Sequence, residues 1–471
     1  MAPQARIQVI RREWIAPSAP TPPHKRRTAL SDWDIVMFKS YIPLLLFYTN
    51  DEKSPDFMNT NALTSSLAKA LVEFYPLAGR LRDIGNGRDE VEDSDAGVLF
   101  QATEYQAELE KFRKDGYLPS QMDYHNMFPI HFYCSAQDPL FAVQVTRFLD
   151  GGVALGIMIL HKIADTYSAS LFLDAWAKIA RGVEYNPVSF KRDLIACPYD
   201  TIITNEAIAH YREEHRVFKE EAAVLRMDPN QQKYTKTTPN GPMPLKSIIL
   251  EFYSDGLYEC KKDAHSKEMI KNKNWLSTKE AMFGMLMRAI TRCRQVPSED
   301  TEIRMIMSVN GRSITKTHKE LDYYFGNWMV SHTIKTTQAQ VNRTKLYTSA
   351  LMLHNTLKNI KPSLFHGLSK LYTVHEDMTV NYLSYQPNSA AQSTASDVSM
   401  LPFWRLNFGF GRPDRTRGYI TFGGNGCFIV FGRADRTKGP MFDVQLQMDA
   451  DSIRRFIDDP DIKKYTKNIL Y

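Results

Sequence analysis

His161-Lys162-Ile163-Ala164-Asp165 is the segment whose residue types best suit chemistry. It follows Val153 to Leu160, a near-continuous apolar run that reads as a buried central strand. A histidine just past such a strand is rigidly held. Its neutral imidazole can take a proton from a hydroxyl or amine as that group attacks a carbonyl. The task needs one tautomer, fixed by a partner on the other ring nitrogen. Asp165, four residues on and near a helix start, could orient the turn by pairing with a distant arginine. Such a spacing often arises by chance from a core histidine followed by a helix-capping aspartate, so the motif alone leaves both readings open. Other chemistries lack their residues. His210 and His215 sit on a charged stretch with no HExxH or other zinc pairing, so no metal site is expected. Gly409-Phe410-Gly411 and Gly423 to Gly426 lack the setting and the lysine of a phosphate loop. Cys134 has no nucleophile signature, and no GxSxG elbow occurs.

The frame that must carry these residues is large. A chain of 471 residues suggests two domains, or three, each with its own core. With 43% hydrophobic and 24% charged residues, the composition excludes a mainly disordered or collagen-like chain. The first residues read as a strand. Thr64 to Tyr75 has helical apolar spacing that Pro76 ends, and Phe141 to Phe148 reads as a strand. A helix is expected from about Ser168 to Ala180. In Ser277 to Arg294, Ser277 and Glu280 form a capping box. Residues 386–399 are small and polar and read as a mobile loop. A final helix is expected near Asp451–Asp458. The order of elements predicts an α/β fold of two similar domains, each with a mixed β-sheet flanked by helices. Residues 1–200 form the first, 201–246 a crossover helix and linker, and 247–471 the second.

No apolar run approaches the roughly 18 residues of a membrane span, and the N-terminus lacks the apolar core of a secretory signal. A cytoplasmic location, without membrane or nucleic-acid partners, is the expectation. Five scattered cysteines give no disulfide framework. Lys plus Arg is 59 against 53 for Asp plus Glu, a net +6. So small an excess is ordinary surface, although it would also suit a polyanionic cofactor.

Several stretches, in order, add to the histidine motif. They are Leu67 to Leu81 (LAKALVEFYPLAGRL), Val309-Asn310-Gly311-Arg312, Tyr324-Phe325-Gly326-Asn327 and Asn407-Phe408-Gly409-Phe410-Gly411. With His161-x-x-x-Asp165 they resemble the BAHD acyltransferases, the acyl-CoA-dependent family of plants and fungi, from about residue 7 to 460. The resemblance implies a chloramphenicol-acetyltransferase-like fold with an active-site channel at the domain interface. It implies a monomer with no permanently bound cofactor and acyl-CoA as co-substrate. The acceptor is a small-molecule alcohol or amine. His161 is then the general base, with no acyl-enzyme. Asp165 holds it in place by pairing with Arg312. Ser399 takes the position of a hydroxyl that can donate to the oxyanion. Tyr41 matches either an acyl-pocket or a core position. Asn407, Gly409 and Gly411 support the site from the second hallmark. The neighbouring Arg412, Arg415 and Arg417 are a candidate CoA-side cluster.

Departures from the family pattern open alternatives. Thr166 replaces a glycine and is expected to cap the helix. Asn407 and Phe410 replace an aspartate and a tryptophan, which raises the alternative of a non-catalytic acyl-CoA-binding homologue. A condensation-type enzyme using carrier-bound acyl groups would carry a second histidine just before His161; here that residue is Leu160.

Overall fold

The computed structural model describes residues 7–471 apart from 38, 136, 199, 213–244, 274, 317, 375–389, 421–423 and 435–438. Sixteen strands among them form three sheets. The first sheet runs β1 (Ile7–Ile15), β6 (Val98–Tyr105), β7 (Phe141–Phe148), β8 (Val153–Leu160), β3 (Tyr41–Tyr48) and β13 (Arg415–Gly418). Only the β6–β7 pairing is parallel. The second runs β11 (Met329–Thr337), β10 (Glu302–Asn310), β12 (Gln392–Asp397), β14 (Cys427–Gly432), β15 (Phe442–Asp449), β9 (Leu245–Phe252) and β16 (Asn468–Leu470). There β12 is parallel to both neighbours and the other pairings are antiparallel. A small antiparallel sheet joins β2 (Arg27–Ala29), β5 (Arg88–Glu92) and β4 (Arg80–Gly85). Both large sheets are mixed and flanked by helices, as the order of elements predicts.

Every residue of β8 is buried, which explains why its side chains do not alternate in polarity. Helices Thr60–Glu73 and Thr166–Ala180 pack beside this sheet. Phe172 meets Phe141 edge-on at 4.9 Å, and Trp176 meets Phe408 edge-on at 4.7 Å. The Trp176 indole N–H donates to Ser66 Oγ at 3.1 Å. Burying each such ring contributes about 1.5–3 kcal/mol, which makes the end of β8 a stiff support. The second sheet packs on helix Thr278–Cys293, whose N-cap Ser277 and Glu280 form both halves of the expected box. A third cluster gathers Trp33 with Trp328, Phe365 and Tyr372, so distant parts of the chain share one core. Trp33 and Trp328 meet edge-on at 4.9 Å.

One expectation is corrected. Residues 392–397 are a strand, not loop: small Ser393 and Ala395 let β12 fit between β10 and β14, and ladder hydrogen bonds outweigh its polar composition. Residues 386–389 lie outside the described ones. Within the expected crossover, residues 205–212 are helical and 213–244 lie outside the described ones. The first sheet also takes its edge strand β13 from residues 415–418, a chain crossing that a linear boundary does not express.

Candidate active site

The peptide around His161 is pinned at both ends of the turn. Its N–H donates to the Ser40 carbonyl at 2.8 Å, and its own carbonyl accepts from Asn327 Nδ2 at 2.8 Å. The residue is half-buried. Burial pushes the imidazole pKa below its ordinary 6.5. Its own carbonyl, Asp165, Asn327 and Asp34, in that order, oppose the shift. Lys162 turns away from the site: its ammonium donates to the Ile35 carbonyl at 2.8 Å and pairs with Asp89 at 3.2 Å.

Asp165 is the N-cap of helix Thr166–Ala180, and its Oδ1 accepts from Ser168 N at 2.8 Å. Thr166 is therefore the first helical residue rather than the cap. The other oxygen, Oδ2, accepts from Arg312 Nη1 at 2.7 Å and Trp328 N at 3.0 Å. Both side chains of this ion pair are almost fully buried. Arg312 Nη2 donates to Ser168 Oγ and to the carbonyls of Tyr324 and Gly326, at 3.0, 3.0 and 2.9 Å. Its guanidinium lies over the rings of Tyr167 and Tyr324. Gly326 leaves no room for a side chain, since an added Cβ would run into the Arg192 guanidinium and the Tyr324 hydroxyl. One arginine thus ties three of the motifs into a single buried network.

The other predicted residues belong to other elements, Tyr41 on β3 beside the end of β8. Tyr41 pairs across the strands with Leu160, is buried, and donates to the Pro139 carbonyl at 2.6 Å, so it belongs to the core. Ser399 is fully buried and its hydroxyl donates to Asp397 Oδ1 at 2.6 Å; Asp397 in turn pairs with Lys279. Asn407 Oδ1 accepts from Gly409 N at 2.8 Å and Gly411 N at 3.1 Å. Those glycines have φ of +105° and +93°, which few other residues adopt. An amide oxygen serves that turn as a carboxylate oxygen would, so the loss of charge leaves the loop intact. Phe410 packs edge-on against Phe57.

The arginine cluster is corrected. Arg417 has no exposed surface: it pairs with Asp443 at 2.8 Å and donates to the Gly116 carbonyl, so its charge is neutralised inside the protein. Arg415 is half-buried against Asp414. Arg412 alone of the three is exposed.

Sequence reasoning missed Asp34, Ser168 and Arg192. Asp34 caps its own helix in a box with Ser31, accepts from Asn327 N and Nδ2, and pairs with Arg192 at 3.2 Å. The Ser31-x-x-Asp34 spacing signalled the cap but not the partner 293 residues away.

The model of the Transferase family matches residues 5–459. The chain belongs to this family, the BAHD acyltransferases. Shikimate O-hydroxycinnamoyltransferase of Nicotiana tabacum is 25% identical over 87% of this chain and 89% of its own. Anthranilate N-benzoyltransferase protein 3 of Dianthus caryophyllus is 25% identical over 90% of this chain and 93% of its own. The crystal structure of F. sporotrichioides TRI101 complexed with coenzyme A and T-2 shares the fold, with TM-score 0.76 and 16% identity, covering 94% of this chain and all of that one. This BAHD protein is an acyl-CoA-dependent acyltransferase. Among the described residues no helix is long and apolar enough to cross a membrane.

Proposed function

We propose that the chain transfers an acyl group from acyl-CoA to a hydroxyl or amine of a small specialised metabolite, with His161 as general base. The observation that carries this is the buried Asp165–Arg312 pair, which ties the histidine turn to residues 324–328. With Nδ1 buried, Nε2 is the ring nitrogen a substrate reaches. It takes the proton of the acceptor O–H or N–H as that atom attacks the thioester carbon. The carbonyl electrons collapse onto oxygen, then reform the double bond as the C–S bond breaks. CoA thiolate leaves and takes the proton back from imidazolium, so no acyl-enzyme forms. Ser399, once its hydroxyl leaves Asp397, donates to the oxyanion, a contact worth about 2.7–4 kcal/mol at a well-aimed site.

Residues 1–200 and 247–471 act as two domains around a channel, and two large sheets, each drawn mainly from one range, support that reading, with β13 and the Trp33–Trp328 cluster joining them. The enzyme works as a cytosolic monomer, a setting that suits five free cysteines. Arg412, exposed beside the Asn407–Gly411 turn, meets the phosphates of CoA. A screen of acyl-CoA thioesters against alcohols and amines, read by thiol release, tests the function. Acceptor-dependent release is expected, and none with any pair would overturn the reading. In the same assay Arg412→Gln should raise the KM for acyl-CoA up to about tenfold with kcat unchanged.

A further inference from the structure

Asn327 is fully buried, and all but one of its hydrogen-bonding groups in the site are committed. Its backbone N donates to Asp34 Oδ1 at 2.7 Å. Its Nδ2 donates to the same oxygen at 2.9 Å and to the His161 carbonyl at 2.8 Å. A carboxylate and a carbonyl only accept. The amide therefore cannot be turned round, because a flipped Oδ1 would face two acceptors with no proton between them. Oδ1 must point the other way. Among the described residues it has no hydrogen-bond partner, and neither has the buried Nδ1 of His161. Because Nδ2 is held by the His161 carbonyl, the unpartnered Oδ1 lies beside that residue, and Asn327 is one of the groups that favour the protonated form of the ring. Catalytic hydrogen bonds are often long before substrate binds and tighten in the complex.

We propose that Asn327 is a positioning residue that fixes His161 as the Nδ1–H tautomer, its Oδ1 accepting from Nδ1 so that Nε2 keeps the lone pair. The Nδ1 proton stays in place throughout, and only Nε2 gains and loses the transferred proton. Asp34 keeps the amide in its one useful orientation. The charged groups about the ring are paired: Asp165 with Arg312, Asp34 with Arg192, and Lys162 with Asp89. His161's own carbonyl and Asn327 are the neutral acceptors left to choose the tautomer, and of the two only Asn327 is a side chain. The inference rests on His161 being the base.

Asn327→Leu in the full chain tests it. Turnover should fall by about 10²-fold or more, as when a catalytic histidine is left in the wrong tautomer. The KM for acyl-CoA should stay within about threefold, since no CoA contact is lost. The acid limb of kcat/KM should move to lower pH, because imidazolium loses an acceptor. A residue that only packs would leave that limb where it is. An acid limb coinciding with wild type, or turnover within about threefold of it, overturns the proposal. Should Asn327→Leu not fold, Asn327→Ser carries the same test with little steric demand; if neither folds, the residue is structural and the proposal falls. His161→Ala, assayed beside them, separates the two ideas. If it turns over normally, the base reading fails. If it is inactive while a folded Asn327 variant is normal, only the role of Asn327 fails.

Discussion

His161→Ala is expected to lower turnover by at least about 10²-fold while leaving the fold and the affinity for acyl-CoA nearly unchanged. The loss follows from removing the imidazole at the end of β8, on a backbone pinned by Ser40 and Asn327. The wild-type pH profile should carry the signature of this group. Burial lowers the imidazole pKa more than its own carbonyl, Asp165, Asn327 and Asp34 raise it. A lowered value leaves the ring neutral at pH 7, ready to accept a proton. Activity should therefore hold at neutral pH and fall only as pH drops through a value below 6.5. Any residual activity of His161→Ala should lack that limb. A limb above 6.5 in the wild type would contradict the buried, neutral base.

Asp165→Asn has the next largest expected effect, and it falls on stability. The two carboxylate oxygens accept from Ser168 N, Arg312 Nη1 and Trp328 N. An asparagine has one acceptor oxygen, so its NH2 must face a donor, and Arg312 loses its counter-charge inside the protein. Breaking a buried pair in this way costs about 3–5 kcal/mol, a large share of the 5–15 kcal/mol typical of a folded protein. Denaturant unfolding should show the loss directly. Turnover of whatever remains folded should fall as well, because the turn that presents His161 is anchored by the same carboxylate. An unchanged unfolding midpoint and unchanged activity would remove Asp165 and Arg312 from the account.

The sequence made visible what depends on local pattern. The apolar run of β8 and the capping box at Ser277 announce themselves within a few residues, and both form as read. The family resemblance pointed to Arg312 as the partner of Asp165, 147 residues apart. Contacts between distant polar residues were hidden. Nothing near Asp34 indicates that it receives Asn327, because that pairing exists only once the third core closes around Trp33 and Trp328. Arg417 looked like surface charge because Asp443, its buried counter-ion, approaches it only across the fold. Residues 392–397 looked like loop because small polar side chains carry no strand pattern, whereas the ladder they join is set by their neighbours.

The central claim is direct acyl transfer driven by His161. It is tested most directly by following thiol release from one acyl-CoA with wild type and His161→Ala, each with and without acceptor. The account predicts acceptor-dependent release by the wild type, no initial burst of thiol without acceptor, and release by His161→Ala slower by at least about 10²-fold at unchanged acyl-CoA binding. A stoichiometric burst without acceptor, or equal rates for the two proteins, would contradict it.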